Sequence, residues 1–404
     1  MRLRLSMSSR STAARPSRRP WSCRRRTGVR MRDDRPGLFE LPGSPVNHGR
    51  FEPARLTQAR VRQGISKTDL AGSVGVSAAA IGQYEAGVNS PRPDVLDRLA
   101  VTLSVRPDFF SVGRPLARID TVNAHFRSLR SARVSDRQRA LATATLVWEL
   151  TFVLERYVRL PEVDLPKLSP GTSPADAASA LRRHWGLPDG PVKHLVATAE
   201  SHGIVVAVRP LGEVDAVDAF SVVIVDRPIL LTTPRRSENV FRHRFSIAHE
   251  IGHLLLHADT GEQSAAIERE ADEFAAAFLT PAASMDVALP QRLDLAALDR
   301  LGRTWGVSPH SLVRRMVERG RTTDSSARRA YQRLAMVNDP AADPTSAYPG
   351  EVPTLLSKAA ELAADHGVAV PALAEALKLT PAQVRDLLGQ PDRRPVLRIV
   401  GDDA

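Results

Sequence analysis

The spacing of two histidines constrains this chain more than any other feature of its sequence. His249 and His253 lie four residues apart in a segment with a helical apolar period, and Glu250 follows the first of them. Two residues four apart on an α-helix lie about 40° apart around the axis and about 6 Å apart along it. The pattern therefore predicts a helix from Arg244 to His257 whose imidazoles can bind one ion from the same face.

The residue types at these positions are those that a zinc peptidase needs. Zinc polarises a scissile carbonyl and acidifies a bound water, while a neighbouring glutamate takes the proton and passes it to the leaving amine. We expect His249 and His253 to bind zinc and Glu250 to act as the catalytic base. The alternative interpretation is a helix with paired surface histidines and no metal.

A third zinc ligand has to come from outside this helix. His257 continues the row, but three histidines on one straight helix span about 12 Å and cannot converge on one ion. On the next predicted helix, Glu268 and Asp272 offer one carboxylate for zinc and one to orient a ligating histidine. Glu270 is the weaker alternative, because it points about 200° away from Glu268. The single cysteine, Cys23, excludes a multi-thiolate site.

The sequence around these positions resembles the ImmA/IrrE metallopeptidase family. The resemblance implies a minimal zincin fold with zinc at His249, His253 and Glu268, and Glu250 as the base. It also implies that the substrates are repressor-type DNA-binding proteins, whose cleavage relieves repression. The matching segments are Arg244-Phe-Ser-Ile-Ala-His-Glu-Ile-Gly-His-Leu-Leu-Leu-His257, Glu268 to Ala275, Phe278 to Pro281, Val217 to Ser221, Trp305 to Ser308 and Leu312 to Arg315.

A second motif lies near the start of the chain. Counting from Lys67, the fifth, ninth and fifteenth positions are Ala71, Gly75 and Ile81. A helix-turn-helix needs a small residue where its helices touch, a glycine at the turn, and a β-branched apolar residue on the second helix. With this pattern, the stretch from Leu56 to Pro91 resembles the XRE family of Cro/repressor-like DNA-binding domains.

The XRE resemblance implies a set of DNA contacts. Gln83 can form a bidentate pair with adenine and Lys67 can meet a phosphate, whereas the alanines offer methyl groups only. The alternative is a protein-binding or dimerising bundle, which the near-neutral charge of this unit favours. The implied contact residues are Ser66 and Lys67 at the DNA backbone, Ser77 at the start of the recognition helix, and Ala78, Ala79 and Gln83 in the major groove.

The chain as a whole is expected to be mainly α with a small α+β domain. The apolar period changes from helical to extended in three short predicted strands, which form a small sheet. The predicted units are a disordered Arg-rich tail (1–50), a helix-turn-helix bundle (51–112), a helical connector (113–200), a zincin-like metallopeptidase domain with a short sheet (201–320), a linker (321–350) and a C-terminal helix-turn-helix-like helical unit (351–404). The predicted strands are 203–208, 219–225 and 228–232.

The charge distribution limits what can be inferred about partners. Of 56 basic residues, 12 lie in residues 1–35 beside only two acidic ones, so the basic pI describes the tail and not the body. One cysteine and the absence of 18 consecutive apolar residues predict a cytoplasmic protein without a membrane partner. The expected partners are a double-stranded DNA operator, a repressor protein as substrate, and a second copy of the chain, because repressors of this class read two half-sites.

Three functions stay open at this point. The first is a DNA-binding regulator whose zinc endopeptidase cleaves a repressor-type protein, and the second is a transcription factor whose zinc domain only senses or stabilises. The third is a protease that uses its helix-turn-helix to dock on a related repressor. Candidate oxyanion donors are His243, Arg244 and His310. The strand from Ala219 to Val225 is expected at a sheet edge, where it would receive an extended substrate.

Overall fold

The computed structural model describes residues 50–111, 134–210, 219–257, 264–337 and 343–390. The predicted tail, apart from Arg50, and the last part of the predicted C-terminal unit lie outside these residues. The described residues confirm the predicted fold class, with sixteen α-helices and one three-stranded sheet. Among these helices, none has the length and apolar character needed to cross a membrane.

In the described residues, seven α-helices precede the three strands and nine follow them. The first seven helices are α1 (Pro53–Gln63), α2 (Lys67–Val74), α3 (Ala78–Glu85), α4 (Pro93–Thr102), α5 (Val134–Leu154), α6 (Pro174–His184) and α7 (Leu195–Ser201). The strands are β1 (Val205–Val208), β2 (Ala219–Ile224) and β3 (Arg227–Thr232). The remaining helices are α8 (Val240–Leu256), α9 (Ala265–Leu279), α10 (Ala282–Ala288), α11 (Leu295–Trp305), α12 (Pro309–Glu318), α13 (Asp324–Val337), α14 (Leu355–Asp365), α15 (Val370–Leu377) and α16 (Pro381–Leu387). The sequence analysis did not predict α13, nor α7 and α10, which have only seven residues each.

Side-chain caps define the helix-turn-helix at α2 and α3. The Ser66 hydroxyl accepts a hydrogen bond from the Asp69 N–H at 3.1 Å and begins α2. Gly75 ends α2 with φ of 68°, a left-handed conformation that a glycine adopts without a Cβ clash. The Ser77 hydroxyl accepts from the Ala80 N–H at 3.1 Å and begins α3. These local signals make the turn between the two helices.

The sheet has the strand order β1-β3-β2, with β3 in the middle. β1 pairs with β3 in parallel, with Val205 opposite Ile229. β2 pairs with β3 antiparallel, with Ser221 opposite Leu230. β2 therefore lies at an edge of the sheet, as expected from the sequence.

Both faces of this small sheet are buried. One face carries Phe220, Val222 and Leu231 and belongs to a core that contains α5, the helix-turn-helix and the C-terminal helices. The other face carries Val206 and Leu230 and belongs to a core that contains α6, α8 and α9. Successive residues of a strand point to opposite faces, so alternate side chains of each strand enter different cores. The sheet thus separates the helix-turn-helix side of the molecule from the side that carries the two histidines.

α5, within the predicted connector at 113–200, lies at the centre of the first core. Ala140, Leu146 and Trp148 lie on three different sides of this helix and are each at most 4% exposed. The helix packs against α1, against β2 and β3, and against α14, α15 and α16. A helix that is apolar all round has to be surrounded, because no side of it can face water favourably.

A buried ion pair joins the helix-turn-helix to α5. Arg55 on α1 donates to the Glu149 carboxylate at 2.8 Å, and both side chains are 1% exposed. Arg55 also donates to Gln58 at 3.0 Å and lies over the Phe109 ring, 5.0 Å from its centroid. Breaking one partner of such a pair leaves a buried charge uncompensated, so the contact specifies how α1 sits on α5.

Helices of two further predicted units pack into the cores. The range 321–350, expected to be a linker, contains α13, which packs on α12 and places Ala327 and Ala330 in the second core. The C-terminal unit is not separate, because α14, α15 and α16 belong to the first core. It is also joined to earlier elements by ion pairs of Arg106 with Glu375 at 2.6 Å and of Arg209 with Asp386 at 3.2 Å.

Two buried glutamates attach the start of the C-terminal unit to α7. Glu351 accepts hydrogen bonds from the N–H groups of Leu195 and Val196 at the start of α7. Glu200, near the other end of α7, accepts from the N–H groups of Thr354 and Leu355 at 3.1–3.2 Å. Each carboxylate satisfies backbone donors at a helix start, where no intrahelical acceptor is available.

The pH dependence of stability should report on Glu200. Burial raises the pKa of Glu200 to about 7, from 4.5 for an ordinary glutamate, against the lowering effect of the hydrogen bonds from Thr354 and Leu355. Between these two values the native state binds more protons than the unfolded state, so the free energy of unfolding falls as pH rises. We expect a loss of up to about 3 kcal/mol between about pH 5 and about pH 8 that is absent in Glu200→Gln.

Denaturant unfolding of both proteins at the two pH values measures this difference. Glu361→Gln, which changes an exposed glutamate of α14, is the matched control and should keep the wild-type pH dependence. Equal pH dependence in wild type and Glu200→Gln would contradict the assignment.

Candidate metal centre and nucleic-acid interface

Close packing of α8 on α9 builds the centre that contains the two histidines. α8 begins one turn earlier than predicted, because the Asn239 side chain accepts from the N–H groups of Phe241 and Arg242. On α8, Gly252 lies directly against Phe274 of α9, and a Cβ at this glycine would be 2.9 Å from the Phe274 ring. The missing side chain therefore lets the two helices approach closely enough for α9 carboxylates to reach α8 imidazoles.

The structure brings three of the expected ligands together. His249, His253 and Glu268 each present a ligand atom, and these three atoms lie within 4.8 Å of one another. The Nε2 atoms of His249 and His253 are 3.0 Å apart. The Glu268 carboxylate oxygens lie 3.4 Å from His249 Nε2 and 3.6 Å from His253 Nε2.

These distances fit a tetrahedral zinc ion. Two ligands bound at about 2.05 Å in a tetrahedron lie about 3.3 Å apart, which is close to all three separations. Two imidazole nitrogens and one carboxylate form a three-ligand set that leaves a fourth position for water or substrate. The residues present therefore fit a catalytic type of zinc site.

Asp272 contacts the first histidine in the way a ligand-orienting carboxylate does. His249 Nδ1 donates to Asp272 Oδ1 at 2.9 Å, which directs Nε2 toward Glu268 and His253. Burial lowers the pKa of His249, but hydrogen bonds to Asp272 and Glu268 and the charge of Glu250 outweigh it and raise the pKa to about 10. The same carboxylates that favour a proton on this imidazole would favour a bound cation.

The second histidine has its own partners, which sequence reasoning did not identify. His257 Nε2 lies 2.9 Å from Glu270, and because a carboxylate only accepts, His257 donates there. A neutral His257 then accepts at Nδ1 from His253 Nδ1, 3.1 Å away. This chain leaves Nε2 of His253 as the atom with a lone pair for a metal. Glu270, expected as a solvated charge or a weaker ligand, instead supports the second imidazole.

Glu250 is buried beside the centre, on the side of the sheet. Its side chain is 1% exposed, and its carboxylate accepts a hydrogen bond from the Ser221 hydroxyl of β2 at 2.7 Å. The sequence signal for this contact is a single polar residue in an otherwise apolar strand.

The three candidate oxyanion donors have other contacts. The buried Arg244 donates to Glu351, to the Val192 carbonyl at 2.7 Å and to the Gly306 carbonyl at 2.9 Å. His243 is fully buried, and its Nε2 lies 3.0 Å from the Glu351 carbonyl.

His310 is exposed and stacks on Tyr331.

Through their contacts with Glu351, His243 and Arg244 attach α8 to the C-terminal unit. These contacts explain why two polar residues on this helix are buried.

The side chains that the XRE resemblance assigns to DNA contacts lie on the surface of the helix-turn-helix. Ser66, Ser77, Ala78, Ala79 and Gln83 are exposed, but Ser66 and Ser77 already cap their helices.

Lys67, whose side chain is 48% exposed, forms an ion pair with Glu85 at 3.1 Å. Glu85 also pairs with Arg60, so it compensates two basic side chains beside the recognition helix. The Gln83 side-chain oxygen accepts from Asn89, which fixes the orientation of its amide and was not predicted.

Comparisons with known families agree with both parts of this geometry. Residues 199–317 match the family model described as the IrrE N-terminal-like domain, and residues 56–110 match that of the helix-turn-helix family. The two resemblances inferred from sequence are thereby confirmed, and together they support a DNA-binding regulator with a peptidase-like domain. No curated protein matches the chain.

Removing the support of the second histidine should weaken zinc binding. His257→Phe removes the acceptor for His253 Nδ1, so the His253 ring loses the contact that orients it. We expect the zinc dissociation constant, measured by competition with a chelator, to rise roughly 10- to 100-fold. His310→Phe, in an exposed histidine stacked on Tyr331, is the control and should leave the constant unchanged. Identical affinities in both variants would show that the chain from His253 to Glu270 does not support the metal.

Proposed function

We propose that this protein is a DNA-binding transcriptional regulator that carries a zinc metallo-endopeptidase of narrow specificity. The observation that carries the proposal is the triangle of His249, His253 and Glu268 ligand atoms with the buried Glu250 carboxylate next to it in the chain. The substrate we propose is a repressor-type protein, as the ImmA/IrrE resemblance implies. We expect the protein to act in the cytoplasm as a homodimer on two operator half-sites.

The proposed reaction assigns a separate task to each residue. His249, His253 and Glu268 would hold zinc, and Asp272 would orient His249. When bound, zinc supplies polarisation of the scissile carbonyl and an acidified water. Glu250 would accept a proton from the attacking water and deliver it to the leaving amine.

The sheet edge supports an extended substrate as the ligand of this centre. β2 is an edge strand, and it also contributes the hydroxyl that contacts Glu250. A peptide added antiparallel to β2 would run past the metal centre, with main-chain hydrogen bonds giving affinity and side-chain pockets giving specificity.

The helix-turn-helix supports DNA as the second partner. Ala78, Ala79 and Gln83 form a small, uncharged, exposed surface on α3 that a major groove can accommodate. Asn89 holds the Gln83 amide oxygen, so the amide has a defined orientation before it meets a base. We propose that Ser66 and Lys67 meet the phosphate backbone, as the XRE resemblance implies.

A second candidate function follows from the shared core. Because α5 packs against both the helix-turn-helix and the sheet, zinc binding on the other face of the sheet could alter DNA binding without any cleavage. In this alternative the zinc domain is a sensor or a structural module.

Replacing the proposed base tests which of these functions holds. Glu250→Gln keeps the size of the side chain and removes the proton acceptor, so zinc and DNA binding should persist while cleavage is lost. We expect mass spectrometry of protein N-termini to detect new termini in a repressor-type protein with the wild type, and none with Glu250→Gln. Equal termini and equal repressor lifetimes in both, with zinc bound, would favour the non-catalytic alternative.

Gln83 tests the DNA-binding half. DNA fragments selected with the wild-type protein should bind Gln83→Ala more weakly by about 1–3 kcal/mol, while random DNA should bind both equally. Fluorescence anisotropy measures both affinities, and Gln332→Ala, an exposed glutamine of α13, is the control. If no DNA is selected at any salt concentration, the helix-turn-helix docks on protein instead.

A further inference from the structure

Ser221 is a buried polar residue in a place that packing alone would give to an apolar one. It is the only polar side chain in β2, and it is fully buried. Its neighbours along the strand, Phe220 and Val222, face the first core, while Ser221 faces the α8 side of the sheet. Burying a hydroxyl without a partner is unfavourable, so its presence here needs a contact that uses it.

The contact is with the carboxylate proposed as the base. Ser221 Oγ lies 2.7 Å from Glu250 Oε2 and 3.4 Å from the Glu250 carbonyl oxygen. An ionised carboxylate only accepts hydrogen bonds, so the hydroxyl donates its single proton to Glu250. A hydrogen bond to an ionised group in a buried site is among the stronger kinds and has a defined direction.

We propose that Ser221 is a positioning residue, which holds the Glu250 carboxylate in the orientation that proton transfer requires. The hydrogen bond to Oε2 restricts rotation of the carboxylate about its Cγ–Cδ bond. This inference rests on the proposed zinc chemistry, and it assigns to β2 a role in the reaction beside its place at the sheet edge.

The location of Ser221 explains why a strand residue can do this. Pairing with Leu230 of the central strand fixes the backbone of β2 at this residue. The hydroxyl therefore comes from a sheet and not from a loop, and its position relative to α8 is set by the packing of the second core. Groups held on regular elements are placed more accurately than groups on loops.

Crystal structures of the zinc-loaded protein give a test that needs no substrate. They are determined for wild type, Ser221→Ala and Ser246→Ala, and the orientation of the Glu250 carboxylate is compared among them. Ser246 is a buried serine of α8 that contacts Arg236 at 3.1 Å, so its alanine variant loses a comparable contact away from Glu250.

We expect the Glu250 carboxylate to keep one orientation in wild type and Ser246→Ala, and to rotate or to occupy more than one orientation in Ser221→Ala. The difference follows because Ser221→Ala removes the donor to Oε2. If Ser221→Ala does not fold, Ser221→Cys, with a weaker donor of similar size, should likewise release the carboxylate from its wild-type orientation.

An orientation of the Glu250 carboxylate that is the same in wild type and the folded Ser221 variant overturns the positioning role while leaving the metal centre intact. A wild-type protein that takes up no zinc overturns the proposed function itself, and the inference with it. The two failures are therefore distinguishable.

Discussion

Burial of a three-stranded sheet on both faces is the constraint on which the rest of this structure depends. Three strands cannot enclose a core alone, so each face needs a covering layer. α5 with the C-terminal helices covers one face, and α8 with its neighbours covers the other. The helix that carries the histidines therefore lies on the opposite face of the sheet from α5, which contacts the DNA-binding unit.

This arrangement makes the helix-turn-helix part of the same apolar core as the sheet. Arg55 and Glu149 add a buried ion pair to that contact, and the C-terminal helices close it from another side. Such a pair is weak evidence for net stability, but removal of one partner is strongly destabilising because it leaves a buried charge uncompensated. The orientation of the recognition helix relative to the metal centre is therefore specified by packing.

The metal centre combines close packing with a concentration of carboxylates. Gly252 lets α9 approach α8, and this approach brings Glu268, Asp272 and Glu270 to the imidazoles. Each histidine meets a carboxylate directly or through another histidine, so the two rings are held with their Nε2 atoms facing each other. Glu250 is supported from the sheet instead, which separates the groups that would hold the metal from the group that would move the proton.

The sequence alone determined what depends on residues close together in the chain. The caps and glycine of the helix-turn-helix, the pair His249 and His253, and the carboxylates of α9 are local patterns with fixed helical geometry. Only the tertiary structure decided the central place of α5, the union of the C-terminal helices with the first core, and the contacts of Ser221 and His257. Those features depend on which surfaces meet across the sheet and between helices, and periodicity reports that a surface is apolar without naming its partner.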